Sequence, residues 1–210
     1  MTVKISGIFF LALGALAVSC NNNAASGPMR AEAELKNAEG ASIGSVVFTQ
    51  ENGGPVKIKV DIHSFLPGVR ALHIHENPCE PPDFGKAGGH FNPYGKEHGF
   101  LNKKGPHAGD LPNILIDEDG NCTVTFISNI ITLEEGKVNS ILRPPGTSVL
   151  IHKMPDDYFT DPAGDAGERL ACGTIRKIRP AAKQTGCVNS RMSAALRRVA
   201  SLILPWTRQE

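Results

Sequence analysis

The strict alternation of apolar and polar residues from Val56 to Ile62 is the feature that most constrains the fold. A strand with this pattern buries one face and exposes the other to solvent, as strands of antiparallel sheets do. Further short apolar or alternating segments are spread along the chain: residues 31–50, 69–75, 114–116, 122–127, 149–151 and 172–178. The pattern predicts an all-β protein of about eight short strands, arranged as an antiparallel sandwich or barrel.

The spacing of the predicted strands leaves one tight turn and two long loops. Asp117–Asn121 separates two strand segments and predicts a hairpin between them. Residues 76–112, rich in Pro and Gly, and residues 153–170, which are polar, do not follow the strand pattern. A loop of more than about 15 residues in a compact domain is uncommon unless it is functional. Interactions other than a β-ladder must therefore hold the first loop.

Residues 1–20 have the character of an export signal. Lys4 precedes an apolar run, residues 5–18, that is shorter than the roughly 20 residues of a transmembrane helix. The end of the segment resembles a bacterial lipobox and predicts a lipoprotein with a lipid anchor on Cys20. Cleavage near residues 24–26 is the alternative. In both cases the mature protein is predicted to be exported, to the cell envelope, the periplasm or the exterior, where disulfides persist.

The predicted strands all lie within residues 30–180, and the segments on either side differ in character. Residues 21–29 are predicted to be a flexible tether. Residues 181–210 carry five Lys or Arg against one Glu and are predicted to be a basic C-terminal extension. A short helix there would place four apolar side chains on one face: Met192, Leu196, Val199 and Ile203. Such a helix would touch anionic lipid, or the extension has no separate role; the sequence leaves both interpretations open.

Six of the seven histidines lie in or beside the two long loops: His73, His75, His90, His98, His107 and His152. His73 and His75 share one face of a strand, because side chains repeat every two residues. Asp110 follows His107 by three residues. Imidazole suits both copper and zinc, and three imidazoles with a carboxylate make a closed tetrahedral zinc site. Two four-coordinate sites need eight ligands, so these seven residues suffice only if one imidazole bridges both metals.

Five motifs occur in this order along the chain: His73-Ile74-His75, residues 89–93 (GHFNP), residues 107–113 (HAGDLPN), Ile151-His152 and residues 167–173 (GERLACG). Together they resemble copper–zinc superoxide dismutase, and the resemblance covers about residues 31–178. The Pro-rich insert Pro78–Gly89 resembles the bacterial, exported members. The resemblance implies an eight-stranded antiparallel Greek-key β-sandwich or barrel with long metal-binding and active-site loops.

The resemblance also implies a set of site residues. The implied copper ligands are His73, His75, His90 and His152. The implied zinc ligands are His90, His98, His107 and Asp110. His90 is then the bridge and acts in catalysis by carrying a proton, while Arg169 receives the anion. Asp156 is the implied carboxylate that joins one copper histidine to one zinc histidine, and Cys79 is implied to pair with Cys172.

The activity implied by the resemblance is superoxide dismutation. One superoxide reduces Cu(II) and a second oxidises Cu(I), which gives O2 and H2O2. A non-enzymatic copper-binding module of the same fold is the alternative, and the presence of all four copper histidines and Arg169 favours the enzyme. Pro162 and Ala163 stand where animal members carry a steering Lys and a channel Thr, so Arg169 has to attract the anion with other help, for which Lys86 and Lys153 are candidates.

Superoxide is the partner that these observations predict. The formal net charge of +1 provides no field that would recruit nucleic acid. Membrane contact is expected only through the lipid anchor, and a homodimer is left open.

A chain that ends at Pro180 should keep its superoxide-consuming activity, because the extension lies outside the region of resemblance. The measurement is superoxide consumption by the full-length and shortened chains, both loaded with copper and zinc, together with their thermal unfolding. Loss of folding in the shortened chain would show that residues 181–210 pack on the domain.

Overall fold

The computed structural model describes residues 27–179 as an antiparallel all-β domain. Its strands are β1 (Met29–Asn37), β2 (Ser42–Gln50), β3 (Val56–Ile62), β4 (Gly68–Arg70), β5 (Leu72–His75), β6 (Ile114–Ile116), β7 (Cys122–Ser128), β8 (Ser148–His152), β9 (Arg169–Thr174) and β10 (Arg176–Ile178). Single residues interrupt two of them, Ala71 between β4 and β5 and Ile175 between β9 and β10. The ten strands therefore form eight continuous segments, and the predicted fold class is confirmed.

The main sheet has the order β5-β8-β9-β1-β2-β3-β7, with β10 paired to β1. It curls into a half-barrel, and β4 and β6 form a separate two-stranded sheet. β7 and β8 are consecutive in the chain but lie near opposite edges of the main sheet, so their connection crosses the barrel. Within residues 27–179 there is one short 3-10 helix, Phe84–Ala87, and no helix is long and apolar enough to cross a membrane.

The core lies inside the curled sheet. The alternation predicted for β3 is observed: Val56, Ile58, Val60 and Ile62 are buried, and the polar residues between them are exposed. β2 contributes Phe48, which is fully buried against the same core. Burying one such side chain contributes about 1.5–3 kcal/mol, so this alternating face is a main source of the stability of the barrel.

The predicted hairpin between β6 and β7 is wrong. The turn itself forms, with the N–H of Asp117 donating to the carbonyl of Asn121 at 2.9 Å. β6, however, pairs with β4, and β7 pairs with β3. The turn therefore passes from one sheet to the other, and the side chains of Ile114 and Ile116 are buried in the same core as those of β3.

The boundaries of the domain differ slightly from the prediction. β1 begins at Met29, which had been assigned to the tether, because Met29 pairs with Gln50 and packs against the core. The predicted signal with Cys20, most of the tether and the basic extension lie outside the described residues.

The first long loop is attached to the edge strand β5 through backbone hydrogen bonds. The N–H of Ile74 donates to Gly109 (2.8 Å), that of Phe91 donates to Ile74 (2.8 Å), and that of Gly109 donates to Phe91 (2.9 Å). A Cβ at Gly109 would fall on the carbonyl oxygen of Ile74. Glycine is therefore required for the loop to lie this close to the strand that carries His73 and His75.

A disulfide fixes the beginning of the same loop. Cys79 and Cys172 are bonded across 93 positions, as the resemblance implied, and this joins the loop to β9. Closing a loop of this length stabilises a fold by about 4–5 kcal/mol on the chain-entropy model. Thr174 adds a second attachment, because its hydroxyl accepts from the N–H of Cys79 (3.1 Å) and donates to the Cys79 carbonyl (2.9 Å).

Gly109→Ala should destabilise the protein by about 1–3 kcal/mol, because the added methyl group overpacks the contact with Ile74. Thermal and denaturant unfolding of the metal-free protein measure this effect. The control is Gly89→Ala, in the same loop, where a Cβ would meet only the side chain of Glu76 at 3.8 Å. Equal stability of the two variants would contradict the close approach at Gly109.

Candidate metal centre

The structure brings six histidines and two aspartates together on one side of the barrel. Their side-chain nitrogens and oxygens form groups in which all donor atoms lie within 4.8 Å of one another. The four-histidine cluster consists of His73, His75, His90 and His152. The Asp110 cluster consists of His90, His98, His107 and Asp110. His90 belongs to both clusters, and every member of both is buried.

The Asp110 cluster is arranged around one carboxylate oxygen. Oδ1 of Asp110 lies 2.9 Å from Nδ1 of His90, 3.1 Å from Nδ1 of His98 and 3.3 Å from Nδ1 of His107. The two nitrogens of His90 and His107 are 3.5 Å apart. Ligands at about 2.0–2.1 Å from a tetrahedral zinc ion lie about 3.3 Å from one another. The donor atoms therefore have the spacing of a zinc site.

The four-histidine cluster lies on the other side of the His90 ring. Nε2 of His75 and Nε2 of His152 are 3.4 Å apart, and the ring centroids of His73 and His90 are 4.0 Å apart. Two nitrogens of this cluster are buried and have no hydrogen-bond partner among the described residues, Nδ1 of His73 and Nε2 of His90. Buried polar atoms are normally paired, so these nitrogens indicate a missing partner such as a metal ion.

Backbone carbonyls and one carboxylate orient these imidazoles through their second nitrogens. Nδ1 of His75 lies 3.0 Å from the carbonyl oxygen of Gly88, and Nδ1 of His152 lies 3.3 Å from that of Gly167. A carbonyl only accepts, so both rings carry their proton on Nδ1 and leave Nε2 free. Contacts of this kind fix the tautomer and the direction of a metal-binding histidine.

Asp156 connects the two clusters. Its Oδ2 lies 3.0 Å from Nε2 of His73, and its Oδ1 lies 2.9 Å from Nε2 of His98. Asn113 holds the backbone of Asp156, because its Nδ2 donates to the Asp156 carbonyl (2.9 Å) and its Oδ1 accepts from the Asp156 N–H (2.8 Å). The motif at 107–113 contains Asn113, but the sequence alone did not identify this contact.

The pKa values of the clustered histidines differ, so that some of these rings are neutral at pH 7 and one is charged. Burial, aided by neighbouring histidines, lowers the pKa of His90 to about 4 and that of His152 to about 3, and it lowers the pKa of His75 well below its usual value. Burial also disfavours the charged form of His98, but hydrogen bonds to Asp110 and Asp156 outweigh it and raise its pKa to about 9. Most of the four-histidine cluster is therefore neutral at pH 7, which is the form that binds metal.

The two carboxylates are charged despite their burial. Burial by itself would raise the pKa of Asp110, but hydrogen bonds to His107, His90 and His98 hold it well below its usual range. Burial likewise opposes ionisation of Asp156, and hydrogen bonds to His73 and His98 hold its pKa below the usual range. Neutral imidazoles beside ionised carboxylates are a suitable donor set for divalent copper and zinc.

Arg169 is held over the first long loop at the start of β9. Its guanidinium donates to the carbonyl oxygens of Phe84 (Nη1, 2.7 Å) and Gly88 (Nη2, 2.6 Å). The Gly88 carbonyl also faces His75, so one carbonyl positions both Arg169 and a member of the four-histidine cluster. Phe84 is buried against the disulfide and Leu150. The anchoring role of Phe84 could not be found from the sequence, since it acts through its backbone.

The two lysines that the sequence suggested as helpers of Arg169 are each paired with an acidic residue. Lys153 donates to Glu168 at 2.9 Å, and Lys86 lies 3.4 Å from Asp83. Each pair is exposed and close to neutral. The carboxylate of Glu168 therefore faces Lys153, and the positive charge of Lys153 offsets its effect on Arg169.

The seventh histidine and the free cysteine of the described residues lie away from the centre. His63 directly follows β3, is exposed, and belongs to neither cluster. Cys122 is a buried free thiol on β7, and burial raises its pKa.

Comparison with known proteins gives a consistent result. The family model for copper/zinc superoxide dismutase (SODC) matches residues 42–175. "Superoxide dismutase [Cu-Zn] 2" of Aquifex aeolicus (strain VF5) is 47% identical over 175 residues, which cover 82% of this chain and 99% of that protein. The superoxide dismutase-like protein YojM of Bacillus subtilis (strain 168) is 39% identical over 144 residues, 68% of this chain and 74% of that protein. The crystal structure of a SOD-like protein from Bacillus subtilis is similar, with a TM-score of 0.65 at 39% identity, and the match covers 68% of this chain and 96% of that one.

Proposed function

The chain belongs to the copper/zinc superoxide dismutase family. We therefore propose that the four-histidine cluster is its copper site and the Asp110 cluster its zinc site. The activity is that of the family, the conversion of superoxide to O2 and H2O2 with copper and zinc as cofactors. The observation that carries the assignment of the sites is the position of His90. Its Nδ1 faces Asp110, and its Nε2 is buried on the side of the four-histidine cluster with no hydrogen-bond partner within residues 27–179.

The donor sets distinguish the two metals. The four-histidine cluster would hold copper, because four imidazole nitrogens suit this metal. The Asp110 cluster holds zinc, because three imidazoles and a carboxylate form a closed tetrahedral site. His90 belongs to both clusters and would contribute one ring nitrogen to each site, as the count of ligands requires.

The chemistry divides between the metal and the chain. Bound copper supplies the one-electron change, and the residues of the chain bring the substrate and the proton to it. Nε2 of His90 would carry one of the two protons that H2O2 needs, in the part of the cycle in which it does not hold copper, and the second proton would come from water. Arg169 binds the superoxide anion, since its guanidinium is held in place by the Phe84 and Gly88 carbonyls. Asp156 contacts Nε2 of both His73 and His98, so that it is their Nδ1 atoms that would face the metal sites.

The alternative of a non-enzymatic copper-binding module is less well supported. A module that only stores copper has no need of a cation placed to receive an anion. Arg169 is present, and two carbonyls hold it beside the four-histidine cluster. The enzyme is therefore the better explanation of the same residues.

The location of the protein and its chain organisation are part of the proposal. The disulfide fits an oxidising compartment outside the cytoplasm. Residues 1–20 act as an export signal with the lipid anchor on Cys20, residues 30–180 are the catalytic domain, and residues 181–210 are an extension. Superoxide is the substrate; a homodimer is compatible with these observations and is tested by the mass of the protein in solution.

His152→Ala should remove copper while zinc stays bound. Losing a group that only orients a metal ligand typically lowers activity by about 10–100-fold, and losing the ligand itself should lower it by more. Asp110→Ala should loosen zinc instead. The measurement is the copper and zinc content per chain by elemental analysis, with about one of each in the parent protein. Full activity in His152→Ala would contradict the copper assignment.

Arg169→Ala should lower the bimolecular rate with superoxide by about 10-fold or more at low salt, because it removes the nearest charge that attracts the anion. The fall of the rate with added salt should become shallower, since salt screens a smaller attraction. The measurement is superoxide decay by pulse radiolysis across a salt series.

The matched control for this experiment is Glu168→Gln. It changes the charge at the adjacent position and leaves Lys153 without its acidic partner. The rate at low salt should rise modestly, with unchanged copper content in both variants. An Arg169→Ala protein with the parent rate and salt dependence would refute the role of Arg169 in guiding the anion.

A further inference from the structure

Tyr158 is the only bulky side chain among the described residues whose backbone has a positive φ. Four non-glycine residues there have φ between 45° and 63°, and the other three are Asn52, Ser64 and Asp165. Short polar side chains tolerate this conformation more readily than an aromatic side chain does. Such strain persists only where the surrounding structure imposes it, and it is common at functional sites.

The backbone N–H of Tyr158 points at Asp156. It donates to Oδ1 of Asp156 at 2.7 Å, and the same oxygen lies 2.9 Å from Nε2 of His98. Both contacts act on a side chain that is fully buried. The unusual backbone conformation is therefore found at the residue that holds the carboxylate oxygen facing His98.

The hydroxyl group of Tyr158 adds a second restraint on the same carboxylate. It accepts a hydrogen bond from the backbone N–H of Asn113 at 2.8 Å. Asn113 in turn holds the backbone of Asp156 through both ends of its amide. Without the hydroxyl group, the N–H of Asn113 would lose its partner in a partly buried position, which is unfavourable.

The carbonyl and the ring of Tyr158 contact the loop that carries His98. The N–H of Leu101 donates to the Tyr158 carbonyl at 2.9 Å, and the rings of Tyr158 and Phe100 are 5.7 Å apart. A Cβ at Gly99 would fall on the Tyr158 carbonyl oxygen, so the two loops are in direct contact there. Four groups of one residue, the N–H, the carbonyl, the ring and the hydroxyl, thus join the two loops around His98.

We propose that Tyr158 is a positioning residue for the zinc site. It fixes the Asp156 carboxylate against His98 and joins the loop that carries His98 to the loop that carries Asp156. This inference rests on the proposed assignment of zinc to the Asp110 cluster. It extends that assignment to a residue that touches neither metal and acts only through the orientation of a ligand.

The test is the rate at which the copper- and zinc-loaded protein releases zinc to a chromogenic chelator. Tyr158→Phe keeps the ring and removes the acceptor for Asn113, and it should release zinc about 5–10-fold faster, as expected for one lost hydrogen bond. Tyr158→Gly keeps the backbone contacts, adopts the same φ without strain and removes the ring and the hydroxyl, so its release should be at least as fast. The control is Tyr94→Phe, at a half-exposed tyrosine, which should release zinc at the parent rate.

A second measurement separates positioning from general stabilisation. Cobalt(II) bound in place of zinc reports the ligand geometry in its visible absorption, which should change in both Tyr158 variants and not in Tyr94→Phe. A merely structural role would lower the melting temperature of the metal-free protein and leave zinc release and the cobalt spectrum unchanged, which would overturn the proposal. Tyr158→Gly decides the matter if Tyr158→Phe does not fold. Failure of the parent protein to bind zinc would refute the proposed function as well, whereas parent-like release in the variants refutes only the role of Tyr158.

Discussion

The burial of two charged carboxylates is the constraint on which the rest of the metal centre depends. Asp110 and Asp156 are almost inaccessible to solvent, and a buried carboxylate is tolerated only when its oxygens are paired. Oδ2 of Asp110 accepts from the N–H groups of Gly99 and His107, each at 3.0 Å, while Oδ1 faces three imidazoles. Asp156 has histidines on both oxygens. Because the long loops lack a ladder of their own, these contacts largely determine their path.

The barrel and the loops contribute differently to the site. The barrel supplies rigid positions, since His73 and His75 lie on β5 and His152 ends β8, and these two strands pair directly. The loops supply His90, His98, His107, Asp110 and Asp156. They are attached at separate points: Gly109 against Ile74 and the Cys79–Cys172 disulfide. Rigid strands and multiply attached loops together explain how a site built mainly from irregular structure holds its donor atoms within a few ångströms.

The charged groups around Arg169 favour a local attraction for an anion over a long-range one. Lys153 and Lys86 are each paired with an acid, so neither projects a free charge toward the centre. Arg169 is half-buried, and two backbone carbonyls hold its guanidinium without neutralising it. A single cation at this position acts mainly within a Debye length of about 8 Å at physiological salt. The same Gly88 carbonyl that holds Arg169 also faces His75, which links the position of Arg169 to the geometry of the four-histidine cluster.

The sequence by itself determined the barrel strands and which residues gather into the two candidate metal-binding clusters. The alternation in β3 predicts its buried face because side chains point to opposite sides of a strand, and histidine has few uses in such numbers other than metal binding. Only the tertiary structure decided how β6 and β7 pair, because the turn at Asp117–Asn121 forms even though the strands on either side of it do not pair with each other. Only the tertiary structure revealed Phe84, Asn113 and Tyr158 as supports of the site. They act through backbone carbonyls, N–H groups or one hydroxyl group, and such contacts depend on where a loop lies in space and leave no pattern in the order of residues.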